Sequence, residues 1–415
     1  MPVRLRAGLV WLHRYVGLVM AAFIVLAGVT GAVLAWYHAF DAAINPQWLR
    51  VQPPSADAKP LPALALRERV IERHPEAEVN FVPLTHTPGA PAVFFIVGPE
   101  DPATGEHLPI EEDEIFVNPY TGQVLGGRRW GDITQGWSNF MPFIYRLHYE
   151  VALGAVGTTV FGVIALLWTL DCFVGAALTL PRSQAPSSPS SPGKATWWRR
   201  WMPAWRLRWN QGRYKRWFDL HRAGGLWLWA WMFVFAWSSV AFNLGSVYYP
   251  AMHAIAGTQE RPASPAVKPV PRDEPAMGWP AGLARGRELM AAVARDKGFA
   301  VLNEERLSYA PHRGSFHYRV RSDRDIRDRR GITSLDFDAA TGALLGSYVP
   351  TGESGGDTFT TWLLALHMAD VWGQPFKVLV FLLGLASAGL SGTGVYIWWK
   401  KRAGRRVAAA RGRPA

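Results

Sequence analysis

Residues His13-Arg14-Tyr15-Val16-Gly17-Leu18 and His221-Arg222-Ala223-Gly224-Gly225-Leu226 decide how this chain of 415 residues is built. Each H-R-x-x-G-L motif opens a run without a charged side chain, 15–40 after the first and 223–259 after the second. A second motif also occurs twice. Leu147-His148 is followed by Gly154, and Leu366-His367 by Gly373, and each leads into a further charge-free run, 151–170 and 378–399. Four runs of this length meet the requirement of roughly 20 apolar residues for a helix that crosses the hydrocarbon. The first is too long for a signal peptide and has a poor cleavage site, so it is expected to be retained.

Charge supports the same reading. Residues 1–14, 182–216 and 400–415 carry 3, 9 and 7 Lys/Arg and no acid, whereas the rest of the chain has 25 basic and 32 acidic residues. With four spans the three basic segments fall on one side, and the positive-inside rule places both chain ends in the cytoplasm. Basic residues at the margins of apolar runs, rather than on a folded face, argue against a nucleic-acid binder. The run WWRRWMPAWRLRWNQGRYKRWF (197–218) has residue types that stack on single-stranded nucleic acid. Beside a span, however, indoles and arginines belong at the lipid headgroups. Residues 183–195 (SQAPSSPSSPGKA) read as a flexible linker. The single cysteine, Cys172, forbids an internal disulfide, a four-cysteine zinc site and a cysteine-held iron–sulfur cluster.

The two segments between the runs each read as a helix followed by strands, and each ends in a similar turn. Asn118-Pro-Tyr-Thr121-Gly122-Gln-Val-Leu-Gly126 matches Asp338-Ala-Ala-Thr341-Gly342-Ala-Leu-Leu-Gly346. An Asx/Thr turn with Gly at the positive-φ position is a hairpin signal. The chain therefore reads as a duplication of helix, outer domain and helix. The expected fold is an α-helical integral membrane protein with four transmembrane helices and two α+β extracytoplasmic domains. The expected organisation is an N-terminal end with the first span (1–40), an outer domain (41–143), a second span (144–181) and a Trp-rich basic loop (182–216). A third span (217–259), a second outer domain (260–358), a fourth span (359–402) and a basic tail (403–415) follow.

These paired motifs, the two hairpins and the closing Ile397-Trp-Trp-Lys-Lys-Arg402 resemble the PepSY-associated transmembrane family over about 5–402. Its members include haem-containing siderophore-iron reductases of the bacterial inner membrane. The resemblance implies PepSY-like outer domains, periplasmic in a Gram-negative cell. It also implies two b-type haems with His13 and His221 as axial ligands of one, and His148 and His367 of the other. Depth counted along the helices gives the same pairing, because His13 and His221 lie at inner ends and His148 and His367 at outer ends. Gly17 and Gly225, one turn beyond the inner histidines, leave room for a porphyrin or a neighbouring helix. Arg14 and Arg222 either bind haem propionates or simply follow the positive-inside rule.

His38 and His253 are rival ligands near outer span ends, without matching repeat positions. Asp171 either orients a ligand histidine, relays a proton, or sits at a solvated helix end. His312, His317 and the Glu111–Glu114 stretch read as surface residues. His367 to Lys400 spans 33 residues, about 50 Å as one helix, so a kink is expected near Gly373-Gln-Pro375.

The implied activity is a di-haem oxidoreductase. It takes electrons from a quinol or flavoprotein donor and reduces a periplasmic ferric siderophore or other iron chelate. The competing functions are a non-catalytic PepSY-type regulatory or binding protein and an accessory component of iron-chelate uptake.

Overall fold

A computed structural model describes residues 2–55, 57–101, 104, 106–181, 196–260 and 274–410. The expected linker at 183–195 and the end of the tail lie outside the described residues. The long apolar runs form α1 (Val3–Leu34), α6 (Gly154–Thr179) and α13 (Gly373–Ala410). Three helices are long and apolar enough to cross a membrane, and a bent pair makes a fourth if it counts as one span. That pair is α8 (Arg213–Trp227) and α9 (Trp229–Asn243), bent by 67°. The bend follows Gly224 and Gly225, the adjacent pair that most weakens helical rigidity. A further helix, α10 (Gly245–Ala256), completes the third apolar run, so 223–259 is not the single rod the sequence suggested.

Two glycines bring the longest rods together. A Cβ on Gly28 would lie 2.6 Å from the Gly384 carbonyl oxygen, and one on Gly384 2.7 Å from that of Gly28. The backbones of α1 and α13 can approach this closely only without side chains. Gly162 of α6 packs against Asn243 of α9 in the same manner.

The helices of the second and fourth apolar runs, α6 and α13, are each preceded by a separate helix. These are α5 (Phe140–Glu150) and α12 (Gly355–His367), and they carry His148 and His367. The turns that follow contain Val151, Ala152, Ala369 and Trp372 with φ of 52° to 56°, then Gly154 at 60° and Gly373 at 63°. Left-handed backbone is cheap for glycine and costly for a β-branched residue such as Val151. The L-H-x5-G motif thus encodes a strained turn that ends on a glycine. His148 and His367 stand on short helices packed against the bundle, rather than on the long helices α6 and α13 themselves. The expected kink in the fourth run is a full break at 368–372.

The helices α2 (Tyr37–Ile44), α3 (Pro46–Leu49) and α4 (Ala63–Arg73) lead into the first outer segment. It contributes β1 (Phe81–Pro83), β2 (Ala92–Phe95), β3 (Glu114–Val117) and β4 (Val124–Arg128). The second contributes α11 (Gly278–Lys297), β5 (Val301–Ala310), β6 (Ser315–Ser322), β7 (Thr333–Asp338) and β8 (Leu344–Tyr348). The short α7 (Trp197–Trp201) lies in the basic loop. The two outer segments are not independent. β1 pairs antiparallel with β5, giving the order β1-β5-β6-β7-β8 beside a separate β2-β3-β4 sheet. Leu66, Phe94 and Ile115 of the first share one apolar core with Trp279, Phe316 and Phe337 of the second. The repeated turns are closely alike. The Oδ1 of Asn118 accepts from the amides of Tyr120 and Thr121, and that of Asp338 from those of Ala340 and Thr341. Gly122 and Gly342 have φ of 74° and 70°.

A buried ionic cluster ties α2 to the smaller sheet. Arg128 donates to Glu114 at 2.6 Å and to both oxygens of Asp41 at 2.8 and 3.0 Å. Glu114 is therefore part of the core, not of a solvated acidic turn.

Candidate functional site

Four imidazoles meet in two pairs. The ring centres of His13 and His221 are 6.0 Å apart, and those of His148 and His367 are 6.1 Å apart. Two imidazoles in a direct N–H···N bond have ring centres about 5 Å apart, whereas two sharing one metal, each nitrogen about 2 Å from it, have them about 6 Å apart. The pairs stand at opposite ends of α1. His13 lies near its start and Thr30, which touches His148, lies 17 residues on, about 25 Å along the axis.

The neighbours of each ring determine where its proton sits. The Nδ1 of His13 donates to the Asp171 carboxylate at 2.9 and 3.0 Å. The Nδ1 of His221 donates to the Leu390 carbonyl at 3.2 Å and lies 2.9 Å from the Thr393 hydroxyl. Carboxylates and carbonyls only accept, so both rings carry hydrogen on Nδ1. The Thr30 hydroxyl uses its own hydrogen on the Leu26 carbonyl at 2.7 Å, and therefore accepts from His148 Nδ1 at 3.1 Å. Ser238 donates to the Val234 carbonyl at 2.6 Å and accepts from His367 Nδ1 at 2.5 Å. All four rings keep the lone pair on Nε2, and no Nε2 has a hydrogen bond among the described residues. This is the tautomer of a metal-ligating histidine.

The supports follow the internal repeat. Thr30 and Ser238 are 208 residues apart, as are His13 and His221. Gly175 and Gly394 are 219 apart, as are His148 and His367. A Cβ on Gly175 would lie 3.5 Å from His13 Cε1, and one on Gly394 3.1 Å from His221 Cε1. Gly31 is tighter still, at 2.8 Å from His148 Cε1. Reading the motifs alone missed these five supporting residues. The repeat spacing was the signal that could have found Thr30, Ser238, Gly175 and Gly394.

The other sequence candidates divide. Gly17 and Gly225 have no atom within 4 Å of where a Cβ would stand, so each leaves an open space one turn from an inner histidine. Asp171 is 9% exposed and grips His13, which excludes a solvated helix end. The Nη2 of Arg222 donates at 2.9 Å to Asp219 and at 2.8 Å to the Pro203 carbonyl, and its buried Nε has no hydrogen-bond partner. Asp219 is completely buried and also holds Arg208, so Arg222 is part of a local ion cluster. Arg14 is half-buried with no ion pair among the described residues. His38 packs edge-on against Tyr37, and exposed His253 bonds Thr258 at 2.9 Å. Neither contacts one of the four histidines among the described residues. His312 pairs with Glu100 and His317 with Asp336.

Among the described residues no group of three or more His, Cys, Asp or Glu could hold a metal ion. Two imidazoles alone are a weak site, but they are the complete protein donor set for a macrocycle that brings four nitrogens of its own. The family model of the PepSY-associated TM region matches residues 10–401. The chain belongs to this family. No curated protein matches it. The match to the PepSY-associated TM region takes in all four histidines, both strained turns and both sheets. A membrane protein of the PepSY-associated type is therefore what the sequence and the fold describe.

Proposed function

We propose that this protein is a di-haem oxidoreductase of the bacterial inner membrane, with His13 and His221 holding one haem b and His148 and His367 the other. It spans the membrane four times, with both chain ends cytoplasmic and the sheets periplasmic. Electrons from a quinol or flavoprotein donor cross to a ferric chelate, such as a siderophore, outside. Bound haem supplies the one-electron chemistry; the chain supplies position, electrostatics and exclusion of water. The observation that carries this reading is the pair of imidazole pairs about 6 Å apart, each ring with its proton on Nδ1 and a bare Nε2.

The residues also suggest a direction. Asp171 enriches the His13 imidazole in electron density, as a carboxylate behind a ligand histidine does. Thr30 and Ser238 are neutral and do so far less. The inner donor set therefore favours the oxidised metal more than the outer one, and the gradient runs outward. The edges of Phe235 and Phe242, with centroids 5.5 and 5.4 Å from the His367 ring, shield it from water.

The test is an absorbance spectrum of detergent-purified protein before and after dithionite. A sharp reduced α band of b type, at two haems per chain, is the expected result. A colourless preparation from haem-sufficient cells would overturn it and leave a non-catalytic binding or regulatory protein.

A further inference from the structure

Arginines gather between the larger sheet and the helix break after His367. Arg306 on β5 stands directly opposite Arg319 on β6. Like charges in that register repel one another. Arg327 and Arg330 come from the β6–β7 loop. That loop is held in place from both sides. Arg321 donates to the carbonyls of Arg327 and Asp328 at 2.7 and 2.8 Å. The Asp328 amide donates to the Asp370 carbonyl at 2.8 Å, and the Gly373 amide to the Asp328 carboxylate at 2.7 Å. The loop is thus pinned to the break between α12 and α13, three residues beyond His367 at its nearest.

None of Arg306, Arg319, Arg327 and Arg330 has an ion pair or a side-chain hydrogen bond among the described residues. The Nε atoms of the first three are buried with no hydrogen-bond partner. The acids nearby are already committed. Glu305 takes the Gly331 amide, Asp325 the amides of Ser322 and Ile332, and Asp328 that of Gly373. Asp370 pairs with Arg329. Burial first, then the cations of Arg319 and Arg330, lower the pKa of Arg306 to about 10. His38 keeps solvent on one side, yet surrounding protein and then Arg329 and Arg330 lower its pKa to about 4. The positive field therefore reaches the end of α1. Glu305, Asp325 and Asp370 offset part of this charge at a distance, and Arg306 lies over the Phe81 ring, but guanidinium groups with no ion-pair contact and with unused donors are suited to a ligand carrying several carboxylates.

We propose that Arg306, Arg319, Arg327 and Arg330 form a binding site for carboxylate groups of a small-molecule ligand, next to the outer histidine pair. The carboxylates come from one of two sources: an incoming anionic chelate, or the propionates of a porphyrin held by His148 and His367. Either use rests on the function proposed above, but the binding of carboxylates does not.

The test uses full-length protein in detergent, with citrate as the probe in titration calorimetry at low salt. The variants are the Arg306→Gln/Arg319→Gln double substitution and Arg330→Gln, which lies at the surface and leaves the sheet intact. Arg313→Gln, at the exposed β5–β6 turn, controls for net charge. Haem content and the reduced spectrum are read on the same samples. Citrate binding that weakens about tenfold or more in both variants but not in the control supports an external ligand. No citrate binding, with haem lost or its spectrum shifted in both variants only, supports the propionates. Citrate binding that is absent or indifferent to the variants, with haem content unchanged, overturns the site. A colourless protein that still binds citrate through these arginines sinks the haem reading and keeps this one.

Discussion

At the basic end of the bundle, His13 is gripped by a carboxylate and His221 by a carbonyl and a hydroxyl. At the sheet end, the Thr30 hydroxyl holds His148 beside the Ala27 backbone, and the Ser238 hydroxyl holds His367. The outer pair keeps the symmetry of the duplication, since its two hydroxyls occupy equivalent repeat positions. The inner pair has lost it. Leu390, 219 residues after Asp171, occupies the acid's position in the second half and offers only its backbone carbonyl. Ring spacing is the same at both levels, so geometry and charge have been set separately. The one inequality of charge directly behind the rings falls at the basic end of the bundle, where the proposed function has electrons enter.

The strongest challenge to this comparison is removal of one ring. His148→Ala or His367→Ala is expected to take away the outer haem and spare the inner, and His13→Ala or His221→Ala the reverse. Haem per chain then falls from about two to about one. Loss of both from every variant, or of neither, breaks the pairing. Asp171→Asn sharpens the contrast further. It is expected to weaken haem retention at the inner pair by about 10–100-fold and to raise that site's potential alone. Release to a haem scavenger and a redox titration are the measurements, and an equal change at both levels would contradict the assignment.

A smaller effect separates the glycines. Gly31→Ala places a Cβ where the His148 ring already stands, and is expected to cost about 1–3 kcal/mol through overpacking. Gly175→Ala meets His13 at ordinary contact distance and is expected to be close to neutral. Thermal melts with haem content decide between them. The prediction fails if Gly175→Ala is the more damaging.

Much of the architecture was legible in the chain. Charge-free runs, basic margins and paired motifs marked the apolar helices, and the Asx/Thr-Gly turns marked both hairpins, because each depends on residues close in sequence. The break before α6 and before α13 was harder to read. Val151 and Ala369 are poor choices for left-handed backbone, and only the packing of α5 and α12 onto the bundle holds them there. Thr30 and Ser238 look like ordinary small polar residues inside helices, since such hydroxyls bond their own preceding turn. Their use as histidine partners requires a second helix. The ion pair of Arg222 is of the same kind. Asp219 lies three residues before it, but that Asp219 is wholly buried is a matter of tertiary packing.

Hydrophobic periodicity and charge are properties of a segment, so the sequence by itself determined which stretches are apolar rods, which are strands, and that one plan is used twice. A segment does not name its partner. Tertiary structure alone decided that β1 leaves its own sheet to pair with β5, that α1 and α13 touch through Gly28 and Gly384, and that four histidines meet two by two. Each of these depends on the fit of surfaces hundreds of residues apart, where a single methyl group decides whether two backbones can meet.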